Sequence, residues 1–307
     1  MKIAITGATG FVGVALVEAL RARGDAITVL SRDPGHARAV LGEVTAVAAD
    51  LAAAGPWTAA LAGADAIVHL AGESLAARRW SARQKQRIRD SRVESTRTLV
   101  EACAALPAAQ RPRALITASG VDFYPFAAEA TFDDDEVTEA DPPGDSFLAR
   151  LCRDWEAEAR AAERAGARVV CMRTGIVLGP GGALARMATP FRLFAGGRIG
   201  SGRQWVAWIH RDDVVRGYAA ALSDERYAGP INLVTQSVRN AELASALGRA
   251  LGRPSWLPVP EVALRAALGE FADYVLAGRR VVPRRLTELG FTWTRPTLDD
   301  ALAAALA

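Results

Sequence analysis

The chain reads as an α/β protein: a doubly wound parallel sheet carrying a small, mostly helical C-terminal part. Three observations predict this. Short apolar runs alternate with stretches of helical period six times over residues 1–179, a rhythm that places parallel strands in one sheet joined by right-handed crossovers. The first apolar run passes through regularly spaced glycines directly into a helix. After Gly179-Pro180-Gly181-Gly182 the rhythm breaks, and the remainder is helical and punctuated by prolines.

Length and composition bound the function. At 307 residues the chain suits about two domains, or one large domain with an appendage. Half of it is apolar and 23% is charged, the balance of a globular protein with ample core. The 37 basic and 34 acidic residues leave +3, so neither nucleic acid nor an anionic membrane is an expected partner. No apolar run approaches the roughly 20 residues that span a bilayer. A strand begins at residue 2, which leaves no room for a signal peptide, so a cytoplasmic protein is expected. Cys103, Cys152 and Cys171 lack metal-ligand spacing and read as thiols in a reducing compartment. Nothing in the pattern sets an oligomeric state.

The run Ile3-Ala4-Ile5 is strand one, and Phe11 to Arg23 is the first helix, stopped by Gly24. Between them Gly7 permits a tight turn, Gly10 lets the backbone approach a pyrophosphate, and Gly13 lets helix and strand pack closely. Thr9 shares that turn, and Phe11, Val12 and Gly13 open the helix, whose N-terminus offers N–H groups and partial positive charge to phosphate. With a second strand following at Ala26 to Ser31, the order is that of a Rossmann-like dinucleotide site. At the end of strand two an acidic residue would take the ribose 2′-hydroxyl, whereas an arginine accommodates a 2′-phosphate. Ser31 and Arg32 stand there, with Asp33 next. A guanidinium matches phosphate bidentately, so NADP(H) is the expected cofactor.

Strand three runs from Val44 to Ala48, a short helix opens at Pro56-Trp57, and strand four is Ala66 to Leu70. Ala71, Gly72 and Glu73 follow where small residues let the chain lie against the cofactor, outside the carboxyl ends of the strands. Together with Leu70 they are expected to bind it. His69, within an apolar strand, reads as a satisfied core residue. Arg78 and Arg79 either hold phosphate or carboxylate or solvate the start of the next helix, which is predicted as one unit from Ser81 to about Leu106. Strand five, Ala114 to Ala118, leads into Ser119 and Tyr124. The acid run Asp133 to Glu136 lacks calcium-loop spacing, so no metal is expected, and it reads as part of a solvated lid. A helix from Phe147 to about Ala165 precedes strand six, Arg168 to Met172. Helix Asp213 to Leu222 and strand Ile231 to Val234 are expected to rejoin the sheet, and Val262 to Ala277 to form a helix. The predicted dinucleotide-binding domain is therefore 1–179, completed by about 211–235, with 180–210 and 236–307 as a smaller domain. The cleft between them is the default site for a small-molecule substrate.

The spacing Thr6-Gly7-x-x-Gly10-x-x-Gly13 resembles the short-chain dehydrogenase/reductase superfamily, and Ile5-Thr6-Gly7-Ala8-Thr9-Gly10-Phe11-Val12-Gly13 its extended, epimerase-like branch. That resemblance implies a Tyr acid with Lys four residues on, and a Ser after strand five. Tyr124, Tyr218, Tyr227 and Tyr274 are the tyrosines, and none has Lys at i+4; the lysines are Lys2 and Lys85 alone. The pair's place reads Phe147-Leu148-Ala149-Arg150-Leu151-Cys152. The run Phe147 to Glu156, Arg173-Thr174-Gly175-Ile176-Val177-Leu178-Gly179, Gly202-x-Gln204-x-x-x-Trp208-Ile209-His210-x-x-Asp213 and the tail around Arg280-Val281-Val282-Pro283 are similar to an atypical, SulA-like branch. This branch carries a small C-terminal domain of unknown function. The resemblance implies bound NADP(H), with Ile176 among its contacts, and names no substrate. Ser119 and Tyr124 are left as candidate catalytic groups. Asp122 and Pro125 replace glycines of the branch's usual loop, which either reshapes the pocket or stiffens it. Two functions follow: an NADP-dependent reductase or epimerase, or a nucleotide sensor or partner-binding protein, related to cell division, that has lost turnover.

Overall fold

The computed structural model describes residues 1–125 and 134–307. Asp133 and the part of the expected lid before it lie outside them.

The chain opens β1 (Lys2–Thr6), α1 (Phe11–Ala22), β2 (Ala26–Ser31), α2 (Pro34–Leu41), β3 (Thr45–Ala48) and β4 (Ala66–His69). Next come α3 (Ala82–Asp90), α4 (Val93–Ala105), β5 (Ala114–Gly120), the short β6 (Glu136–Val137), α5 (Phe147–Arg160) and β7 (Arg168–Thr174). Then follow β8 (Ile176–Leu178), α6 (Gly182–Arg192), β9 (Trp205–His210), α7 (Arg211–Ser223) and β10 (Gly229–Leu233). The tail adds β11 (Gln236–Arg239), α8 (Asn240–Leu251), α9 (Glu261–Leu268), α10 (Phe271–Val275), β12 (Arg280–Val281), α11 (Arg284–Glu288) and α12 (Leu298–Leu306).

Seven strands form the main sheet in the order β10-β7-β5-β4-β1-β2-β3. Every pairing in it is parallel, from Lys2 opposite Ala26 to Gly229 opposite Val170. A parallel sheet is covered on both faces, which is why its strands are mostly apolar. Ile3, Ile5 and Val29 meet Leu16 and Leu20 of α1 and Val214 and Tyr218 of α7 on one face. Ala4, Ile67, Leu115 and Val169 meet Leu99 of α4 and Ala159 of α5 on the other. Alternate residues of one strand thus serve opposite cores. A third cluster, with Trp208, Leu243, Leu247 and Leu302, joins the small sheet β11-β9-β8 to α8 and α12.

Two predicted helices are divided. The helix expected from Ser81 to Leu106 is two, α3 and α4, parted at Ser91 and Arg92. Ser91 Oγ turns back to the Ile88 carbonyl at 2.9 Å, and Arg92 leaves ideal helical geometry to donate to the Glu73 carbonyl at 2.9 Å. A side chain that bonds nearby backbone competes with the helix for it. The helix expected over 262–277 is divided at Gly269, whose φ of 61° no helix accepts. Asp134, in the acid run, pairs with Arg239 at 2.5 Å, and Glu136 with Arg280 at 3.3 Å alongside the β6–β12 pairing. Among the described residues no helix is long and apolar enough to cross a membrane.

Candidate active site

The turn between β1 and α1 is built around glycine. Gly7 has φ +70°, and a Cβ there would lie 2.6 Å from the Leu70 carbonyl carbon. A Cβ on Gly13 would overlap the Gly7 carbonyl oxygen and come within 2.6 Å of the Ala8 oxygen. Gly10 is different: it is exposed, and its Cβ would meet only the Gly7 oxygen, at 3.2 Å. Beyond it α1 begins with no side-chain cap, its first intrahelical bond running from Val14 N to Gly10 O at 3.0 Å. The amides of Phe11, Val12 and Gly13 have no partner among the described residues. Unpaired amides at the positive end of a helix, beside a bare and exposed backbone, fit a phosphate. Thr9 is partly buried in the turn, and the Phe11 ring packs against Gly179 and Gly182, with the Arg211 guanidinium 5.5 Å from its centre.

At the end of β2 the Asp33 carboxylate is used as the cap of α2, accepting from His36 N at 2.9 Å. Ser31 Oγ donates to the Asp33 carbonyl at 3.0 Å. Arg32 is exposed and has no partner among the described residues. Beyond β4, Leu70 N bonds the Thr6 carbonyl at 3.1 Å and Ala71 N the Thr6 hydroxyl at 3.3 Å, which binds this loop to the glycine turn. Glu73 N donates to Ser91 Oγ at 2.9 Å, and Gly72 lies against Arg92, whose Cζ would be 3.1 Å from a Cβ there. His69 is fully buried with Nδ1 2.7 Å from Thr6 Oγ1; burial, with the Arg92 charge, holds its pKa down to about 4, so it is neutral. Arg78 is exposed without a partner among the described residues, and Ile176 is half-buried opposite Trp208.

Ser119 and Tyr124 belong to one buried chain of hydrogen bonds. Ser119 Oγ donates to Glu156 Oε1 at 2.7 Å, and Arg173 holds both Glu156 oxygens at 2.8 Å. Arg173 Nη1 donates to the Tyr124 hydroxyl at 3.0 Å, and that hydroxyl donates to Asn232 Oδ1 at 2.6 Å. Tyr124 is 1% exposed, and burial pushes its pKa up to about 12. Glu156, Arg173 and Asn232 did not figure in the sequence reading as a network. Arg173 and Asn232 carried a signal as polar residues inside apolar runs, since such residues are buried only when paired, whereas Glu156 sits in a charged helix and carried none.

No Tyr and Lys pair lies along α5, which begins at Phe147. The structure brings both residue types to that point from elsewhere. Lys85 of α3 places Nζ 5.3 Å from the Phe147 ring centre and pairs with Glu270 at 2.5 Å. Tyr274 of α10 accepts from Leu148 N at 3.2 Å and packs on Trp80 at 5.2 Å. Trp80, Phe147, Phe271 and Tyr274 form an aromatic group over the start of α5, which Ser146 caps through Ala149 N. One turn on, Cys152 packs near Gly120, and burial pushes its thiol up to about 12.

Comparison with known proteins agrees with this architecture. A model of the NAD dependent epimerase/dehydratase family matches residues 3–233, and a domain of unknown function, DUF1731, matches residues 259–305. The chain is 41% identical to the epimerase family protein SDR39U1 homolog of Arabidopsis thaliana, described as chloroplastic, over 100% of this chain and 87% of that protein. The crystal structure of human epimerase family protein SDR39U1 with NADPH superposes with a TM-score of 0.87 at 36% identity, covering 99% of each chain. A nucleoside-diphosphate sugar epimerase from Corynebacterium glutamicum superposes with a TM-score of 0.78 at 34% identity, over 100% of this chain and 58% of that one. With the glycine turn, the seven-stranded order and these matches together, the chain belongs to the NAD dependent epimerase/dehydratase family.

Proposed function

We propose that this protein is an NADP(H)-dependent oxidoreductase of epimerase-like type acting on a small carbonyl or sugar-nucleotide substrate. The observation that carries this is the joint state of Gly10 and Arg32. One is a bare backbone beside unpaired helix amides, and the other a guanidinium without a partner where Asp33 is already spent on capping. When bound, the nucleotide would supply a hydride donor or acceptor. The amides of Phe11, Val12 and Gly13 would hold its pyrophosphate and Arg32 its 2′-phosphate. Loop 70–73 and Ile176 stand at the carboxyl ends where such a ligand lies in an open α/β sheet. The NADPH of the human relative supports this choice of nucleotide. Ser119 and Tyr124 we assign to holding the end of β5 in shape, because both hydroxyl protons are donated inside the protein.

The experiment is a panel of aldehydes, ketones and 4-keto sugars followed through NADPH absorbance. The expected outcome is slow carbonyl reduction with NADPH and much less with NADH. Tight NADPH binding without oxidation of NADPH across the panel would instead favour a nucleotide sensor, a reading that the missing Tyr and Lys pair on α5 supports.

A further inference from the structure

At the carboxyl ends of β4, β5 and β7 the titratable groups are nearly all committed. His69 is held by Thr6. Ser119, Glu156, Arg173 and Tyr124 satisfy one another. Tyr274 is engaged at Leu148 N. Asp122 is the exception. It lies in the single helical turn Val121–Phe123 directly after β5, and its carboxylate accepts from its own backbone N–H but from no side chain among the described residues. Asp122 Oδ2 is 3.3 Å, and Cys152 Sγ 3.8 Å, from the point where Gly120 would carry a Cβ, so the carboxylate rests against bare backbone. The groups facing it are Arg92 from the break before α4, Cys152 of α5 and Tyr274 of α10, with Glu73 beyond Arg92. Arg92 also touches Gly72 and donates to the Glu73 carbonyl, so its guanidinium is held by the loop after β4.

We infer that Asp122 is the proton-carrying catalytic residue of this site, exchanging a proton with the substrate oxygen while Arg92 steadies its ionised form. The inference rests on the NADP(H) reading above. In reduction, the carbonyl carbon takes a hydride from the reduced nicotinamide and the C=O π pair moves to oxygen. Oxygen then takes the Asp122 proton, leaving an alcohol, oxidised nicotinamide and a carboxylate. In oxidation each transfer reverses, and the carboxylate accepts the hydroxyl proton. Burial outweighs the hydrogen bond from its own backbone and the Arg92 charge and raises the Asp122 pKa to about 6, close enough to neutrality for either role.

The test needs no substrate. An oxidised nicotinamide ring is positively charged and a reduced one is neutral, so an ionised Asp122 beside the ring favours NADP+ over NADPH. Dissociation constants of both nucleotides are measured by calorimetry at a series of pH values spanning the Asp122 titration, for wild type, Asp122→Asn and Asp122→Glu. As pH rises, the wild-type preference should move toward NADP+ by about tenfold, the consequence of a one-unit difference in the Asp122 pKa beside the two rings. The 2′-phosphate titrates in the same range in both nucleotides and cancels in the ratio. Asp122→Asn should flatten the ratio and Asp122→Glu restore its slope. A pH-independent wild-type ratio, or a slope that survives in Asp122→Asn, overturns the proposal and leaves the cofactor site standing. Failure of both nucleotides to bind overturns the proposal together with the reading beneath it.

Discussion

A phenol that donates to Asn232 while accepting from Arg173 has no free proton to offer a substrate. Tyr124→Phe removes both bonds at once, leaving the Asn232 oxygen without a side-chain partner and Arg173 Nη1 with only its 3.5 Å bond to the Glu139 carbonyl. The expected loss is about 1–3 kcal/mol of stability, the cost of stranding buried polar groups, with NADPH affinity unchanged. Denaturant unfolding and a cofactor titration of the same variant check both halves. Unchanged stability with abolished turnover would return the proton transfer to Tyr124. Sequence could place Ser119 and Tyr124 at the end of a strand, because strand and loop are adjacent residues. It could not place Glu156, Arg173 and Asn232 around them, since those contacts close over as many as 108 positions. Asp122 was visible as a departure from glycine, but its isolation depends on every neighbouring group being satisfied elsewhere.

The glycine turn permits a sharper test at the level of an element, because its glycines do separate things. Gly10 has an extended φ of −78°, available to any residue, and room for a Cβ beyond one contact at 3.2 Å. Gly13 has no room, since its Cβ would enter the backbone of residues 7 and 8. Gly10→Val should therefore fold with near wild-type helicity and lose NADPH binding. Gly13→Val should unfold or aggregate, because it forces α1 off the sheet. Circular dichroism with calorimetry distinguishes the two; a Gly10→Val protein that still saturates with NADPH would show that the turn does not hold the cofactor. β2 and α1 were legible to within a residue because their signals are local: an apolar run, a glycine stop, a cap. The break between α3 and α4 was not, because Arg92 reaches 19 residues back to Glu73 to make it. Gly269 could have announced the break between α9 and α10, as an isolated glycine in a helical pattern often does.

Taken whole, the molecule is a seven-stranded parallel sheet with a smaller, mostly helical part beyond it. The seven-stranded sheet with its glycine turn was readable from period and spacing alone. The helical character of the second part was readable too, but the placement of α9 and α10 was not, because they are positioned by Lys85–Glu270, by Tyr274 on Trp80 and by the β6–β12 pairing, all of them long-range. The partly exposed Lys85–Glu270 pair adds little stability on its own, so the aromatic contacts carry most of this docking. What joins both parts into one functional claim is the identity of the nucleotide. Calorimetric titration of NADPH and NADH into wild type and Arg32→Ala tests that claim most directly. The account predicts that wild type binds NADPH much more tightly than NADH, and that Arg32→Ala loses about 1.5–3 kcal/mol of NADPH affinity while NADH affinity barely moves. Equal affinities in the wild type, or an Arg32→Ala variant that still prefers NADPH as strongly, would contradict it.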